Sequence, residues 1–298
     1  MKSNHLLCIM LLAAPLWVLA STPIDQTQAL NADGRVSIEN LKGSVQVRTW
    51  ERAEVHIGGS LGDGVKQLQV EGNANSLRIK VDNPDSGRWF GNKRSEPSDL
   101  VVTVPATAEV EVEVVSADVD VAGVAGRRLS VDSVSGRINA QGKPARAELR
   151  SVSGDVEATL QSPRLKAESV SGDVRVNGTT SGEIALETVS GDIHLEAGTV
   201  KQLSMESVSG SVEAQVQTLA PDGRINGETL SGRLTLSLPA TTSAAVHIST
   251  FSGAIRSDVG KVVREEYGPG ASLEARLGEG NGKIELESFS GSVRLDVR

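Results

Sequence analysis

The sequence is poor in the residues that cross-link or anchor small folds. Its one cysteine, Cys8, lies near the start, so the chain beyond it has neither disulfides nor thiolate metal sites. Aromatic residues make up 2% of the chain. The longest apolar run, Leu6 to Leu19, is shorter than the ~20 residues that a membrane-spanning helix needs. Stability must therefore come from a core of small aliphatic side chains.

That apolar run has the features of an export signal. Lys2 precedes it, and the small Ala20, with Val18 two residues earlier, gives a cleavage site after Ala20. We predict that residues 1–20 are a signal peptide and that the mature chain is periplasmic or secreted, with no transmembrane anchor after cleavage; a retained N-terminal anchor is the alternative. Cys8 follows Leu7, whereas a lipobox cysteine follows a small residue, so lipidation is not expected.

The charge balance excludes two classes of partner. Without Lys2 the chain has 29 basic and 38 acidic residues, a net charge of −9. Nucleic acids and anionic membrane surfaces would repel such a chain. We therefore expect no nucleic-acid partner.

One short motif organises most of the chain. The tetrapeptide Ser/Thr, aliphatic or Phe, Ser, Gly returns eight times, with its glycine at Gly136, Gly154, Gly172, Gly191, Gly210, Gly232, Gly253 and Gly291. The intervals are 18 to 22 residues, except for a last interval of 38, which we interpret as two repeats with one signature missing. Units this short are typical of solenoid coils. The fold predicted is all-β, a single-domain parallel β-solenoid (β-helix) with coils of about 18–22 residues.

Six columns of apolar residues run through the repeats. Counted from the second serine of the motif as position 0, they stand at positions −6, −4, −1, +3, +5 and +7. Position −1 holds Val134, Val152, Val170, Val189, Val208, Leu230, Phe251 and Phe289. We predict that all six columns face the core, from two short strands joined at a glycine corner where backbones approach closely.

The two ends of the chain are less regular. We predict one domain over residues 21–298, with irregular coils at 21–121 and regular repeats at 122–298. The register fits Val36 to Val47 and Val110 to Val121, and strand-like runs lie at 54–57, 67–71 and 77–81. A separate N-terminal sandwich is the alternative. Residues 260–282, rich in glycine turns, predict a hairpin or an imperfect coil before the last regular one.

A polar loop at 83–98 carries the candidate partner contacts. Trp89 and Phe90 stand beside Lys93 and Arg94, an aromatic and basic set that suits a protein or glycan partner. The interpretation that we favour is that these residues cap an end or an edge of the solenoid.

The repeats resemble a known family. Ser151 to Val156, Ser169 to Val174, Thr188 to Ile193 and Ser207 to Val212 are similar to the "SVSGDV" units of the bacterial DUF4097 group of adhesin candidates. The resemblance covers nearly all of the mature chain. It implies a β-solenoid in the cell envelope, and it supplies no catalytic residues.

The polar columns offer candidate ligands but no catalytic set. Acidic residues recur at position −3 and, as Asp155, Asp173 and Asp192, at position +2. These three aspartates are weak metal candidates, because Ca²⁺ prefers six to eight oxygens and each coil offers one carboxylate; a solvated face is the default. Position −2 is always Ser or Thr, for which we predict a ladder of hydroxyls bonded to one another and to the corner backbone. The scattered His56, His194 and His247 predict no Ser-His-Asp site.

The sequence thus predicts a non-enzymatic binding or scaffold protein of the cell envelope, adhesin-like, without a cofactor. Its partner is an unknown envelope protein or glycan. A polysaccharide-active β-helix enzyme and a weak metal or ligand carrier are the alternatives.

Overall fold

The computed structural model describes residues 22–83, 95–178 and 180–298, and within them it is built from strands alone. The prediction of an all-β fold is confirmed. No described helix is long and apolar enough to cross a membrane. In chain order the strands are β1 (Thr22–Ala29), β2 (Arg35–Trp50), β3 (Glu54–Leu61), β4 (Gln67–Asn73), β5 (Ser76–Asp82), β6 (Ser98–Pro105), β7 (Glu109–Val124), β8 (Leu129–Ser135), β9 (Ile138–Gly142), β10 (Ala147–Ser153), β11 (Val156–Leu160), β12 (Arg164–Ser171), β13 (Val174–Asn177), β14 (Gly182–Ser190), β15 (Ile193–Ser209), β16 (Val212–Ser231), β17 (Arg233–Leu238), β18 (Ala244–Thr250), β19 (Ile255–Ser257), β20 (Lys261–Arg264), β21 (Ala271–Leu277), β22 (Gly282–Ser288) and β23 (Ser292–Val297).

Each repeat contributes two strand segments to two faces. The segment before Ser-Gly belongs to face A, which includes β8, β10, β12 and β14, and the segment after it belongs to face B, which includes β9, β11 and β13. Equivalent residues of successive repeats pair in parallel: Leu165 lies opposite Ala147 on one side and Ile184 on the other. The long strands β15 and β16 each pass from face B into face A of the next repeat. Stacked repeats therefore bring each sequence column into a line across the sheet.

The core lies between the two faces and consists of small aliphatic side chains. In one repeat, Leu165 and Ala167 from face A and Val174 and Val176 from face B are at most 3% exposed. The same four positions, −6, −4, +3 and +5, are buried in the neighbouring repeats. The period-two pattern of each strand accounts for this, because alternate side chains point to the same side.

The glycine of each motif lies where adjacent repeats almost touch. A Cβ on Gly191 would lie 2.2 Å from the carbonyl oxygen of Gly172, and one on Gly210 would lie 1.9 Å from that of Gly191. Gly136 also has a φ of +134°, a conformation that side chains disfavour. The predicted close approach at the corner is confirmed, and it requires glycine.

The N-terminal region has the coils that the register predicts, but not in sequence order. Strands β2 and β7 pair in parallel with Val36 opposite Val110. The later strands β5 and β6 lie on the other side of β2. Strands β4 and β3 then pair antiparallel to β5 and β6, and β1 pairs antiparallel to β3. Antiparallel strands thus cover this end of the stack and leave fewer open parallel edges.

At the C-terminal end the repeats do not stack in sequence order, and the interpretation of the 38-residue interval as two repeats is wrong, because its middle part forms antiparallel strands. Strand β22 pairs with β16 on one edge and with β18 on the other, so the Gly291 repeat lies between those of Gly232 and Gly253. The predicted hairpin is present as the antiparallel pair β20 and β21, and β21 also covers the outer edge of β18. The inner edge of β18 pairs with β22, which follows the hairpin in the sequence. Sequence columns could not reveal this order, because Ile225, Ile284 and Val246 are equivalent in either arrangement.

Candidate functional site

The most unusual surface feature is a row of exposed apolar side chains at position −1. The prediction that this column faces the core is wrong: Val115 and the eight residues at position −1 are 42% to 57% exposed. The strand alternates strictly, so positions −6, −4 and −2 point inward while −3 and −1 point outward. The row consists of Leu41, Val115, Val134, Val152, Val170, Val189, Val208, Leu230, Phe289 and Phe251, in their order across the sheet. We call these ten residues the apolar row; Leu41 at one end is half-buried, and the other nine are exposed.

The apolar row lines a long groove of about 1430 Å³. Its ten members are separated by nine strand spacings of about 4.8 Å, so the row is about 43 Å long. The column at position −3 runs beside it and lines the same groove. The groove therefore offers a linear apolar track with a polar flank, which suits an elongated ligand better than a compact one.

The hydroxyls at position −2 lie beneath the row, and only part of the predicted ladder forms. These side chains are 4% to 5% exposed. Ser169 donates to the carbonyl oxygen of Gly154 at 3.2 Å and Thr188 to that of Gly172 at 3.3 Å. The other six find no hydrogen-bond partner within the described ranges: Ser133, Ser151, Ser207, Thr229, Thr250 and Ser288. The prediction that neighbouring hydroxyls satisfy one another is wrong for these six, while the contact with the corner backbone is correct for two.

In one half of the groove most of the flanking carboxylates are neutralised within the protein, and Glu113 is the exception among the described residues. Arg150 lies 2.8 Å from Glu168 and 3.5 Å from Asp132, and Lys166 contacts both Glu168 and Glu187. Burial acts to raise the pKa of Glu168, but Lys166 and Arg150 outweigh it and leave that pKa below its ordinary value. This half of the groove therefore carries little free charge.

Beside this half lies Glu148, the most buried carboxylate among the ion pairs of the described residues. Glu148 lies 2.6 Å from Arg146, 2.7 Å from Arg128 and 3.5 Å from Arg150. Burial acts to raise the pKa of Glu148, but the three guanidinium groups outweigh it and leave that pKa below its ordinary value. The cluster fixes Arg150 at the edge of the groove.

In the other half the flanking carboxylates are unpaired. Glu206, Glu228 and Glu287 lie opposite one another in successive strands, and none makes an ion pair within the described part of the chain. Asn226 donates a hydrogen bond to Glu228 at 2.8 Å. The apolar row ends here in Phe289 and Phe251, whose rings stack with centroids 4.9 Å apart. We call Glu206, Glu228 and Glu287 the glutamate trio.

The aspartates at position +2 have a backbone role in the corner. A carboxylate oxygen of Asp155 accepts the N–H of Asp173 at 3.0 Å, Asp173 accepts that of Asp192 at 2.9 Å, and Asp192 accepts that of Ser211 at 2.7 Å. Each aspartate thus satisfies a donor of the next repeat where the strand pairing is interrupted. The described residues contain no group of three or more His, Cys, Asp or Glu side chains that could hold a metal. The expectation of a solvated face, with these three aspartates as weak metal candidates only, stays a prediction.

The histidines lie apart from one another and at the surface. His194 lies near Glu196 and Glu213, at 3.9 and 3.7 Å, and His247 lies 3.9 Å from Glu274. His56 contacts Thr27 at 3.3 Å and Asp25 at 3.7 Å, both through Nδ1. A Ser-His-Asp relay needs both ring nitrogens, one for the nucleophile and one for the acid. In the contacts given above, none of the three histidines binds a hydroxyl through one ring nitrogen and a carboxylate through the other.

The predicted partner contacts Trp89, Phe90, Lys93 and Arg94 lie outside the described residues. Asn83, the last described residue before them, lines one end of the groove. The surface that the sequence analysis missed is the apolar row, because its residues were predicted to face the core. The available signal was the hydroxyl at position −2, which continues the alternation of positions −6 and −4 and so places position −1 outward.

Comparison with known proteins places this fold in a family. The model of the family called Toastrack DUF4097 matches residues 34–296. The chain belongs to this family. A search among proteins of curated function finds no match.

Three solved structures are similar to the chain at low identity. A candidate adhesin from Bacteroides fragilis is 13% identical, with 93% of this chain and 98% of that chain covered and a TM-score of 0.42. A candidate adhesin from Parabacteroides distasonis is 12% identical, with 93% and 98% covered and a TM-score of 0.43. A candidate lipid-binding protein from the same species is 11% identical, with 92% and 96% covered and a TM-score of 0.47. Identities this low carry no information on a shared ligand.

Proposed function

We propose that this Toastrack DUF4097 chain is an exported, non-enzymatic binding protein of the cell envelope, adhesin-like, whose binding surface is the apolar row. Residues 1–20 are its signal peptide, and residues 21–298 form one parallel β-solenoid domain. The pairing of β7 with both β2 and β8 supports a single domain, because it joins the irregular and regular coils without a break.

The observation that carries the proposal is the exposure of the apolar row within a groove. Large exposed apolar patches are uncommon on soluble monomers and mark binding surfaces. Here the exposed side chains are aligned by the strand pairing rather than scattered, so a linear ligand contacts many of them at once. The alternative of a polysaccharide-active enzyme gains no such support, since the floor of the groove is mainly aliphatic.

A neutral dye that fluoresces on apolar surfaces tests the binding surface. We expect the purified mature protein to bind the dye and a variant with Val152→Ser, Val170→Ser and Val189→Ser to bind it several-fold more weakly. Val263→Ser is the control, because Val263 is 59% exposed but lies outside the groove. Equal dye binding by the triple variant and the unmodified protein would refute the assignment.

Export is tested separately by the mature N-terminus. Mass spectrometry of the protein recovered from the periplasm or medium should find a chain that begins near Ser21. A cytoplasmic protein that retains Met1 would contradict export without affecting the binding surface.

A further inference from the structure

The two halves of the groove differ in charge. The half around Arg150 and Lys166 pairs Asp132, Glu168 and Glu187 internally and leaves only Glu113 without an ion pair, whereas no member of the glutamate trio has a basic partner among the described residues. All three glutamates are exposed and line the groove beside Val208, Leu230 and Phe289. An apolar track with unpaired acidic side chains is complementary to a ligand that is both apolar and cationic.

The stacking makes the glutamate trio electrostatically unfavourable without a partner. Neighbouring members are one strand apart, about 4.8 Å between backbones, where two like charges in water repel by roughly 1 kcal/mol. Upstream in the same column, Arg150 lies between Asp132 and Glu168 and relieves this repulsion there. A bound cation between adjacent glutamates would relieve it in the same way, so the trio gains more from a cationic ligand than an isolated surface glutamate does.

The row spacing selects the conformation of the ligand. Val208, Leu230, Phe289 and Phe251 lie on four successive strands, so they span three strand spacings, or about 14 Å. The apolar stripe of an α-helix advances about 5.4 Å per turn, which is close to the strand spacing of about 4.8 Å. Three turns cover about 16 Å, so the stripe stays nearly in step with these four residues. An extended peptide presents side chains on one face only every 6.6 to 6.8 Å, about 1.4 strand spacings, so it falls out of step with these residues.

We propose that this end of the groove binds a cationic amphipathic helix of a partner protein, with its apolar stripe on Val208, Leu230, Phe289 and Phe251 and its Lys or Arg residues on the glutamate trio. The inference rests on the proposed function and adds the chemistry of the partner. Helix-in-groove binding through a stripe of apolar anchors is a common mode of peptide recognition. The stacked rings of Phe289 and Phe251 provide the largest apolar surface of the row, and a Lys or Arg of the helix can also lie over a ring.

The test uses two synthetic peptides of about 18 residues with the same helical pattern of leucines, one with lysine and one with glutamate at the polar positions. Fluorescence anisotropy with the purified mature protein should show binding of the lysine peptide and at least ten-fold weaker binding of the glutamate peptide. Raising NaCl from 50 to 500 mM should weaken the lysine complex, because screening acts on exposed pairs.

A variant with Glu206→Gln, Glu228→Gln and Glu287→Gln should bind the lysine peptide about ten-fold more weakly, which corresponds to about 1.4 kcal/mol. The control carries Glu71→Gln, Glu213→Gln and Glu274→Gln, which change the net charge equally but lie outside the groove, and should bind as the unmodified protein does. Phe251→Ser with Phe289→Ser should weaken binding while the urea midpoint confirms folding.

Several results would overturn the inference. They are no binding of the lysine peptide, equal binding of both peptides, or an equal loss in the control variant. Glutamate-independent binding to neutral phosphatidylcholine vesicles would point to a lipid surface instead, and a concentration-dependent dimer that competes with the peptide would point to a second copy. If the neutral dye still binds the row in these cases, the inference fails while the proposed function stands.

Discussion

Replacing two valines of one repeat by alanine separates the apolar row from the core. Val170 at position −1 is 46% exposed, whereas Val174 at position +3 is fully buried. Val174→Ala removes two buried carbons, worth about 0.8 kcal/mol each, and leaves a cavity, so a loss of about 2 to 3 kcal/mol is expected. Val170→Ala loses about half of the transfer energy and no cavity forms, because water fills the space. Its cost should not exceed about 0.8 kcal/mol.

The assay is urea denaturation of both variants followed by circular dichroism, with thermal melting as a second probe. Both variants make the same chemical change in one repeat, so the difference between them reports the burial and packing of the two positions. We expect the midpoint of Val174→Ala to fall clearly below that of Val170→Ala at an unchanged slope. Equal losses would mean that position −1 is part of the core and would remove the basis of the binding surface.

Three further predictions concern the corner and the ion pairs. Gly191→Ala forces a Cβ to within 2.2 Å of the Gly172 carbonyl oxygen and should cost at least about 2 kcal/mol in urea unfolding, whereas Gly58→Ala, with its nearest contact at 3.5 Å, should cost little; equal midpoints would contradict the close approach. Asp192→Ala removes the acceptor of the Ser211 N–H and should cost about 1 kcal/mol, and Asp192→Asn, which retains an oxygen, should cost less; the reverse order in thermal melts would exclude the backbone role. Since the folded pKa values of Glu148 and Glu168 are lowered, their contribution is complete above the ordinary glutamate value of about 4.3 and is lost as pH falls through the lowered values, so unfolding midpoints measured from pH 6 to pH 3 should fall less in the Glu148→Gln and Glu168→Gln variants.

The all-β fold and the glycine corner could be predicted because both are local consequences of the repeat. A period of two places Leu165 and Ala167 on one side of a strand whatever surrounds it, and a glycine column implies close backbones. The apolar row could not be assigned by hydrophobicity alone. Val170 is as apolar as Val174, and only the continued alternation through Ser169 shows that it points outward.

The charge pattern of the groove depends on pairing that the sequence does not show directly. Glu168 and Glu206 occupy the same column and look equivalent. The difference arises from Arg150 in the neighbouring repeat and Lys166 two residues earlier, which neutralise Glu168, whereas Glu206 has no such neighbour. The strand register is therefore needed to tell which carboxylates of this acidic column are paired with a basic side chain and which are not.

The order of the last coils is testable without removing any of them, because a disulfide forms only between residues whose Cα atoms lie about 4.4 to 6.8 Å apart. Glu228 lies opposite Glu287, and Glu287 lies opposite Ser249, so Glu228 and Ser249 are two strands, or about 9.6 Å, apart. The mature protein with Glu228→Cys and Glu287→Cys should form an intramolecular disulfide on oxidation, detected by mass spectrometry, and should become more stable by up to about 4 kcal/mol in the chain-entropy model. The pair Glu228→Cys and Ser249→Cys should remain reduced. If the coils followed sequence order, the second pair would form the disulfide and the first would not, and Phe289 would then no longer lie between Leu230 and Phe251 in the apolar row.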